Sequence, residues 1–180
     1  MDLIRKKHYD SITVQNVIDR ADVGRSTFYA HYRDKEDLFL SSWEKLLEQF
    51  ARQIKWENVG RERVIPVREL FLHVQESYDL YKGVARSQKL DLLYENGLIY
   101  LSRSIEKQLT SFWADKPQPS VPLAVMSNHL ASEVFSMLRW WLEHDRCYTP
   151  ERMDEMFHEL VMPGFRSVLG ASAQNSTRDI

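Results

Sequence analysis

The stretch from Ile12 to Phe39 constrains the fold of this chain more than any other part of it. Apolar side chains at helical spacing give a first short helix one buried face: Val14, Val17, Ile18 and Ala21. Asp22-Val23-Gly24 breaks that period, and Phe28 and Tyr32, four residues apart, give a second helix its own buried side. Two short helices around a tight turn, followed by a longer helix, predict a helix-turn-helix, whose second helix can lie in the major groove of DNA.

The polar residues of this stretch suit contact with nucleic acid. The guanidinium of Arg25 can bind a guanine edge or a phosphate through two hydrogen bonds. Three hydroxyl side chains that can reach phosphate oxygens follow it, those of Ser26, Thr27 and Tyr29. His31 and Lys35 lie where the helix would meet the next backbone segment. Spacing alone leaves a second interpretation open, a three-helix junction whose outer face is merely polar.

A longer pattern connects the stretch to a known family. The pattern T-V-x-x-I-A-x-x-A-G-V-S-x-G-T-F-Y-x-H-F-x-x-K-x-x-L is typical of the DNA-binding domain of TetR-family transcriptional repressors. The chain matches it at Thr13, Val14, Val17, Ala21, Val23, Thr27, Phe28, Tyr29, His31, Lys35 and Leu38. The chain therefore resembles that family over about thirty residues, and the resemblance implies a dimeric repressor that responds to a ligand.

The resemblance also implies a role for each matching position. Thr13 and Val14 are expected near the phosphate backbone at the start of the first helix. The residues expected to contact base edges or phosphates are Arg25, Ser26 and Thr27. Those expected to contact the DNA backbone are Tyr29, His31 and Lys35. The chain departs from the pattern at three positions, with Asp22 for the turn glycine, Gly24 for a capping serine and Ser26 for a small glycine. Aspartate tolerates a left-handed conformation and glycine can cap a helix, so we expect the motif to survive.

Composition limits the class of protein. Of the 180 residues, 43% are hydrophobic and the formal net charge is −2, which indicates a globular chain without an overall basic charge. Residues 1–37 hold as many acidic as basic side chains, so DNA binding must depend on where charges lie. A single cysteine, Cys147, excludes an internal disulfide. The chain has neither a membrane-length apolar run nor a signal peptide, and we expect a cytoplasmic protein.

The rest of the chain predicts an all-α fold with a helix-turn-helix head over residues 1–39, a helical effector-binding and dimerisation body over 40–169 and a frayed tail over 170–180. The first helix, up to Tyr9, should be unusually short, and the basic arm usual in the family is not seen before it. Either the natural start lies upstream of Met1 or this member lacks the arm. A third helix should begin after Asp34 and run to about Trp56. Gly83 should interrupt the body helices, and Pro163 should kink or break the last helix.

Two C-terminal helices carry wider apolar arcs than a monomer surface needs. We expect them to form a four-helix dimer interface with a second copy of the chain. The residues predicted to form it are Leu130, Val134, Met137, Trp141, Phe157 and Val161. The alternative is that the arc is simply the core of one domain.

The body is rich in aromatic residues, which favours an apolar or aromatic small-molecule effector. The predicted pocket residues are Phe71, His73, Tyr78, Tyr94, Arg103 and His129. Aromatic residues at helical spacing are nevertheless more often core than pocket. Effector binding would favour a conformation whose recognition helices no longer fit paired operator half-sites, and double-stranded operator DNA would be released.

Catalytic signals are weak. Glu155 and His158 form one E-x-x-H, the spacing used in di-iron bundles, but the sequence holds no second copy. There is no glycine-rich phosphate loop and no nucleophile elbow, and we predict no enzyme activity, no cofactor and no metal. Two alternatives to the repressor are a helical partner-binding module without operator binding and, less favoured, a helix-bundle metalloenzyme.

Overall fold

The computed structural model describes residues 9–56, 63–86 and 90–175. Within these ranges the chain is all-helical, with no strand, and a short 3-10 turn at Tyr9–Ser11 precedes the first α-helix. The α-helices are α1 (Val14–Ala21), α2 (Arg25–His31), α3 (Lys35–Arg52), α4 (Val67–Glu76), α5 (Tyr78–Arg86), α6 (Leu90–Phe112), α7 (Leu123–Glu143), α8 (Pro150–Leu160) and α9 (Met162–Asn175). The predicted all-α fold class is therefore confirmed.

Helix α3 begins in the head and continues into the body, so it belongs to both. Asp34 caps its first turn, because the carboxylate accepts a 2.7 Å hydrogen bond from the backbone N–H of Asp37. Further along, Trp43, Leu47 and Phe50 turn into the core at helical spacing. The head is therefore attached to the body by a continuous helix rather than by a linker.

The body is built from packed pairs of helices. Helix α6 packs against α7, α3 packs against α6, and α4 packs against α8. Phe71 and Trp141 meet in the core with ring centroids 4.9 Å apart. The buried indole N–H of Trp141 donates a 2.8 Å hydrogen bond to the carbonyl of Tyr148, which satisfies its only donor.

A buried carboxylate links α8 to α4. Asp154 forms an ion pair with Arg63 and accepts a 3.3 Å hydrogen bond from the backbone N–H of Arg68, at the start of α4. His158 lies one turn further along α8, with Nδ1 3.4 Å from a carboxylate oxygen of Asp154. Burial raises the pKa of the Asp154 carboxyl, but the contacts with His158 and Arg63 outweigh it and leave the pKa below its ordinary value.

Gly97 allows α6 to lie very close to its neighbours. A Cβ atom at this position would stand 2.5 Å from Cζ of Phe135 on α7 and 2.8 Å from Nε1 of Trp43 on α3. Both rings are buried, with ring centroids 6.0 Å apart. The glycine is therefore a close-packing position, and not a neutral surface residue.

Several predicted boundaries are wrong. Helix α3 ends at Arg52 rather than near Trp56, because the backbone N–H of Lys55 bonds instead to the carbonyl of Val64 at 3.2 Å. Gly83 lies inside α5, where a Cβ would come 3.2 Å from Cβ of Tyr9, so it serves a close approach and does not break the helix.

Near the C-terminus, the helical path does break close to Pro163, between α8 and α9, as predicted. The predicted frayed tail is helical as far as Asn175. Of the predicted first helix, which runs to Tyr9, residues 1–8 lie outside the described part of the chain, as do the last five residues. Tyr9 itself lies in the 3-10 turn.

The six predicted dimer-interface residues are core residues of a single chain. Leu130, Val134, Trp141, Phe157 and Val161 are buried in the isolated protomer, and Met137 is partly buried against the same core. The apolar arc of α7 is wide because the helix packs against α6 on one side and α8 on another. The five buried residues are therefore covered within one protomer, and Met137 is the one of the six that keeps part of its surface accessible.

Candidate DNA-binding surface

The first helix of the head begins with two reciprocal hydrogen bonds. The hydroxyl of Thr13 accepts a 3.2 Å bond from the backbone N–H of Asn16, and the side-chain oxygen of Asn16 accepts a 3.3 Å bond from the backbone N–H of Thr13. This capping box fixes where α1 starts. Thr13 is exposed at that start, and Val14 is partly buried beside it.

The turn between α1 and α2 depends on an aspartate in a left-handed conformation. Asp22 has φ 52° and ψ 47°, the region that a turn glycine usually occupies. The backbone N–H of Val23 bonds to the carbonyl of Ile18 at 3.1 Å, which closes the C-terminus of α1. Gly24 follows in an extended conformation and caps α2 without a side-chain bond. The motif therefore tolerates both departures from the family pattern, as expected.

Helix α2 is anchored by one residue. Phe28 is its buried side chain, and its ring packs 5.4 Å from Tyr29 and 5.7 Å from Tyr32, centroid to centroid. Every other residue of the helix is exposed, including the predicted contact residues Arg25, Ser26, Thr27, Tyr29 and His31. Tyr29 keeps 52% of its surface accessible, although a large aromatic side chain usually finds cover. The helix therefore presents nearly its whole circumference to an external partner.

Arg25 is held by a residue that the sequence analysis did not single out. Its guanidinium donates to the side-chain oxygen of Gln15 on α1, and the Gln15 amide donates a 2.5 Å bond to Asp19. This exposed chain links α1 to α2 and restricts where the guanidinium points. Gln15 and Asp19 stand four residues apart, which is the spacing of neighbouring side chains on one helix face.

Lys35 has a structural position. Its ammonium donates hydrogen bonds to the carbonyls of Tyr9, at 2.9 Å, and Ile12, at 2.8 Å, and lies 4.7 Å from the centroid of the Tyr9 ring. Two of its three donors thus hold the start of the head to α3. Its contacts do not support the predicted role at the DNA backbone, because the side chain turns inward. Nearby, the Arg33 backbone N–H and then its guanidinium lower the pKa of the Asp37 carboxyl.

The six residues predicted to line an effector pocket are not brought together. Phe71 is buried in the core, and Tyr78 donates a 2.9 Å hydrogen bond to Asp145. His129 is exposed on α7, with Nδ1 3.8 Å from a carboxylate oxygen of Glu133. The other three lie in three different places. Tyr94 lines a small gap beside Phe135, and Arg103 lines a surface groove on α6. His73 lines a separate, larger cavity. Helical spacing places residues on a face but does not say which helix covers it.

The larger cavity lies where the head meets the body. It has a volume of about 490 Å³ and is lined from both sides, by Tyr9, Ile12 and Val17 of the head, by α3, and by His73, Ser77, Leu80 and Tyr81 of the body. Its floor is aromatic, with Tyr81 5.4 Å from Trp43 and 6.2 Å from Phe39, centroid to centroid. Partial burial lowers the pKa of His73.

The residues of the E-x-x-H motif have protein partners. Glu155 accepts a 2.9 Å hydrogen bond from Arg152, and Nδ1 of His158 lies 2.8 Å from the carbonyl of Asp154. Among the residues that the structure describes, no three His, Cys, Asp or Glu side chains come together as metal ligands would. No described helix is both long enough and apolar enough to cross a membrane.

These features define a helix-turn-helix DNA-binding protein with a helical C-terminal body. Residues 1–41 match the family of bacterial regulatory proteins of the tetR family, and residues 66–163 match the family described as a transcriptional regulator C-terminal region. The chain belongs to the TetR family of transcriptional regulators, whose members are in general not enzymes.

A solved structure supports the same assignment. A TetR-family transcriptional regulator from Syntrophomonas wolfei strain Goettingen is 25% identical to this chain, with a TM-score of 0.52. The similarity covers 94% of this chain and 90% of the other. No curated protein matches the sequence significantly.

Proposed function

We propose that the protein is a homodimeric repressor that binds an inverted-repeat operator through α2 and releases it when a small molecule binds. The observation that carries the proposal is the exposure of α2, a helix with one buried anchor and a surface of arginine, hydroxyl and imidazole groups. Groups of this kind supply both phosphate contacts and base-edge contacts in DNA complexes. Release by a ligand requires that the ligand bind the two conformations with different affinity.

Dimerisation is proposed through the outer face of α7. Val125, His129, Ser132, Ser136 and Trp140 follow each other at intervals of three or four residues on the side of α7 opposite its core residues. Val125 is 55% exposed and Trp140 41%, although both are apolar. The serines between them are small, so a second α7 can approach closely. Leu160 on α8, which is 76% exposed, supplies further uncovered apolar surface.

A random-sequence DNA selection with the full chain tests operator binding. We expect an inverted repeat with half-sites about one helical turn apart, or a multiple of it, because a two-fold dimer presents two recognition helices. Arg25→Ala should weaken binding by about 1–3 kcal/mol at a base contact, and Tyr29→Ala should weaken it for all sequences alike. Arg103→Ala, which removes an exposed arginine of the body, is the matched control.

Two outcomes would count against this proposal. Enrichment of a motif that all three variants bind equally well would place the DNA contact elsewhere. A folded, dimeric chain that enriches no sequence would favour the partner-binding module instead.

The dimer surface has its own test. Val125→Arg should convert the dimer to a folded monomer in sedimentation equilibrium, because it places a charge in the proposed interface. The control is Thr110→Arg, which places the same charge at an exposed position of α6. Leu98 on the same helix is not suitable, because its side chain packs on the core. A dimer that survives Val125→Arg would place the interface on another face.

A further inference from the structure

We propose that the cavity between head and body is the effector site, and that its ligand is a small amphipathic acid with an apolar body and one anionic group. This inference rests on the proposed function, and it differs from the prediction of a pocket within the body core. The cavity's volume of about 490 Å³ is within the usual range for small-molecule sites.

The interior of the cavity is suited to an apolar molecule. Its inner surface combines aliphatic side chains with the aromatic floor described above, and most of these groups are buried or partly buried. The aliphatic lining residues are Ile12, Val17, Leu38, Leu46 and Leu80. Burial of such surface supplies about 25 cal/mol for each Å² removed from water, and this is the main source of affinity for an apolar ligand.

The mouth of the cavity favours a negative charge. Its exposed lining residues are Ser42, Lys45 and Gln49, which follow each other along one edge of α3. None of the described lining residues is acidic, whereas Lys35, Lys45 and His73 are basic. Lys45 forms no ion pair with any residue that the structure describes. An anionic group at this mouth therefore meets the Lys45 cation and no carboxylate among the described lining residues.

The position of the cavity also explains how its ligand would reach the DNA-binding helices. Tyr9 packs 5.8 Å from Phe39, and Phe39 packs 6.2 Å from Tyr81, so one aromatic chain runs from the head into α5. Gly83 on α5 comes close to Tyr9 at the same junction. A molecule seated among these rings contacts head and body together, so it favours the arrangement of the two that fits it best.

A matched pair of fluorescent probes tests the site. The anionic probe is 1-anilinonaphthalene-8-sulfonate, and the neutral probe is N-phenyl-1-naphthylamine, the same ring system without the sulfonate. Lys45→Gln should reduce the ratio of anionic to neutral affinity about threefold, the size expected for one partly exposed charge pair. Lys55→Gln, which changes another exposed lysine, should leave the ratio unchanged.

A second variant tests the location. Ser42→Trp places a large side chain in the mouth and should reduce the affinity for both probes at least about tenfold. Ser111→Trp makes the same change at an exposed position of α6 outside the cavity and should have no effect. Thermal melts of both variants confirm folding. Binding of neither probe to the wild type, or equal binding to Ser42→Trp, would overturn the assignment of the cavity.

The regulatory part is tested on operator DNA. Saturating anionic probe should weaken the operator affinity of the wild type at least about fivefold, the lower end of common coupling strengths, and should not affect Ser42→Trp. Probe binding without a change in DNA affinity would overturn the regulatory role. A wild type that binds no operator without probe would instead refute the proposed function, while the probe measurements still decide whether the cavity is a ligand site.

Discussion

Gly97→Ala tests the closest helix approach in the body. The substitution adds a single methyl group, and that Cβ would lie 2.5 Å from Cζ of Phe135 and 2.8 Å from Nε1 of Trp43. Ordinary contacts at such positions begin near 3.4 Å. The Phe135 ring must therefore retreat by about 0.9 Å, the difference between 3.4 and 2.5 Å. It cannot do so freely, because it also packs against Tyr94, 5.6 Å away.

Two opposing terms set the magnitude. Overpacking a well-filled core costs roughly 1–3 kcal/mol, and the overlap here affects two buried rings, so about 3 kcal/mol applies. Alanine is better than glycine inside a helix by about 1 kcal/mol. The free energy of unfolding should therefore fall by about 2 kcal/mol. For a chain of this size the melting temperature should fall by roughly 4–8 °C.

The assay is denaturant unfolding followed by circular dichroism, at one fixed protein concentration because a dimer's stability depends on it. Gly164→Ala is the matched control. It makes the same change in α9, where an added Cβ meets no atom within 4 Å. This control should gain about 0.5 kcal/mol, since alanine restricts the unfolded chain.

A rescue experiment separates overpacking from other causes. Phe135→Leu shortens the side chain that the new methyl group would meet. In that background Gly97→Ala should cost about 1 kcal/mol less than in the wild type, as measured by a double-mutant cycle. If Gly97→Ala alone proves as stable as the wild type, or if the cycle shows no coupling, the close approach of α6 and α7 is not what limits this position.

Three further predictions concern buried or tethered charges. Asp154→Asn should lower the free energy of unfolding by about 2 kcal/mol at pH 7, because it weakens the bonds to Arg63 and His158. The pKa of Asp154 is lower in the folded protein than in the unfolded chain, so this stabilisation is lost as the pH falls below the ordinary carboxyl pKa. The unfolding curves of the two proteins should therefore converge in acid. Burial lowers the pKa of His73, so the unfolded chain binds the proton more readily than the folded protein. The free energy of unfolding should therefore drop as the pH falls below about 6.5. In urea titrations at several pH values, His73→Gln should make the free energy of unfolding less dependent on pH. Lys35→Met should loosen the head, which limited proteolysis would detect as faster cleavage before α1 with the body unchanged.

The helix-turn-helix could be predicted from the sequence because its determinants are local. The spacing of Val14, Val17 and Ile18 and the position of Phe28 define two helices without reference to the rest of the chain. Asp22 was expected to accept a left-handed conformation, and it does. Thr149 caps α8 in the same local way, because its hydroxyl accepts a 3.3 Å bond from the backbone N–H of Arg152. Caps and turns of this kind depend on residues within three or four positions.

Burial of a helix face could not be assigned in the same way. The arc that includes Leu130, Val134 and Trp141 has the same appearance whether a neighbouring helix or a second protomer covers it. The structure shows that α6 and α8 cover it. The signal that could have separated the two was the opposite stripe, where the apolar Val125 stands among small and polar residues and stays 55% exposed. Trp140, on the same stripe, is 41% exposed although its ring stacks on His144 and Tyr148.

The cavity illustrates the same limit for function. Its lining comes from three separate stretches of the chain, and only His73 was among the residues predicted for a pocket. Tyr9, Trp43 and Tyr81 carry no sequence signal that distinguishes them from core aromatics, because the cavity forms only where three distant stretches of the chain meet. The family pattern places Lys35 at the DNA. In the structure, Lys35 instead joins the start of the head to α3, the helix that lines the cavity. Lys35 holds Tyr9 and Ile12, which line the cavity, and Val17 of α1 lines it too. A ligand at this junction therefore lies directly against the segment that leads into the helix-turn-helix.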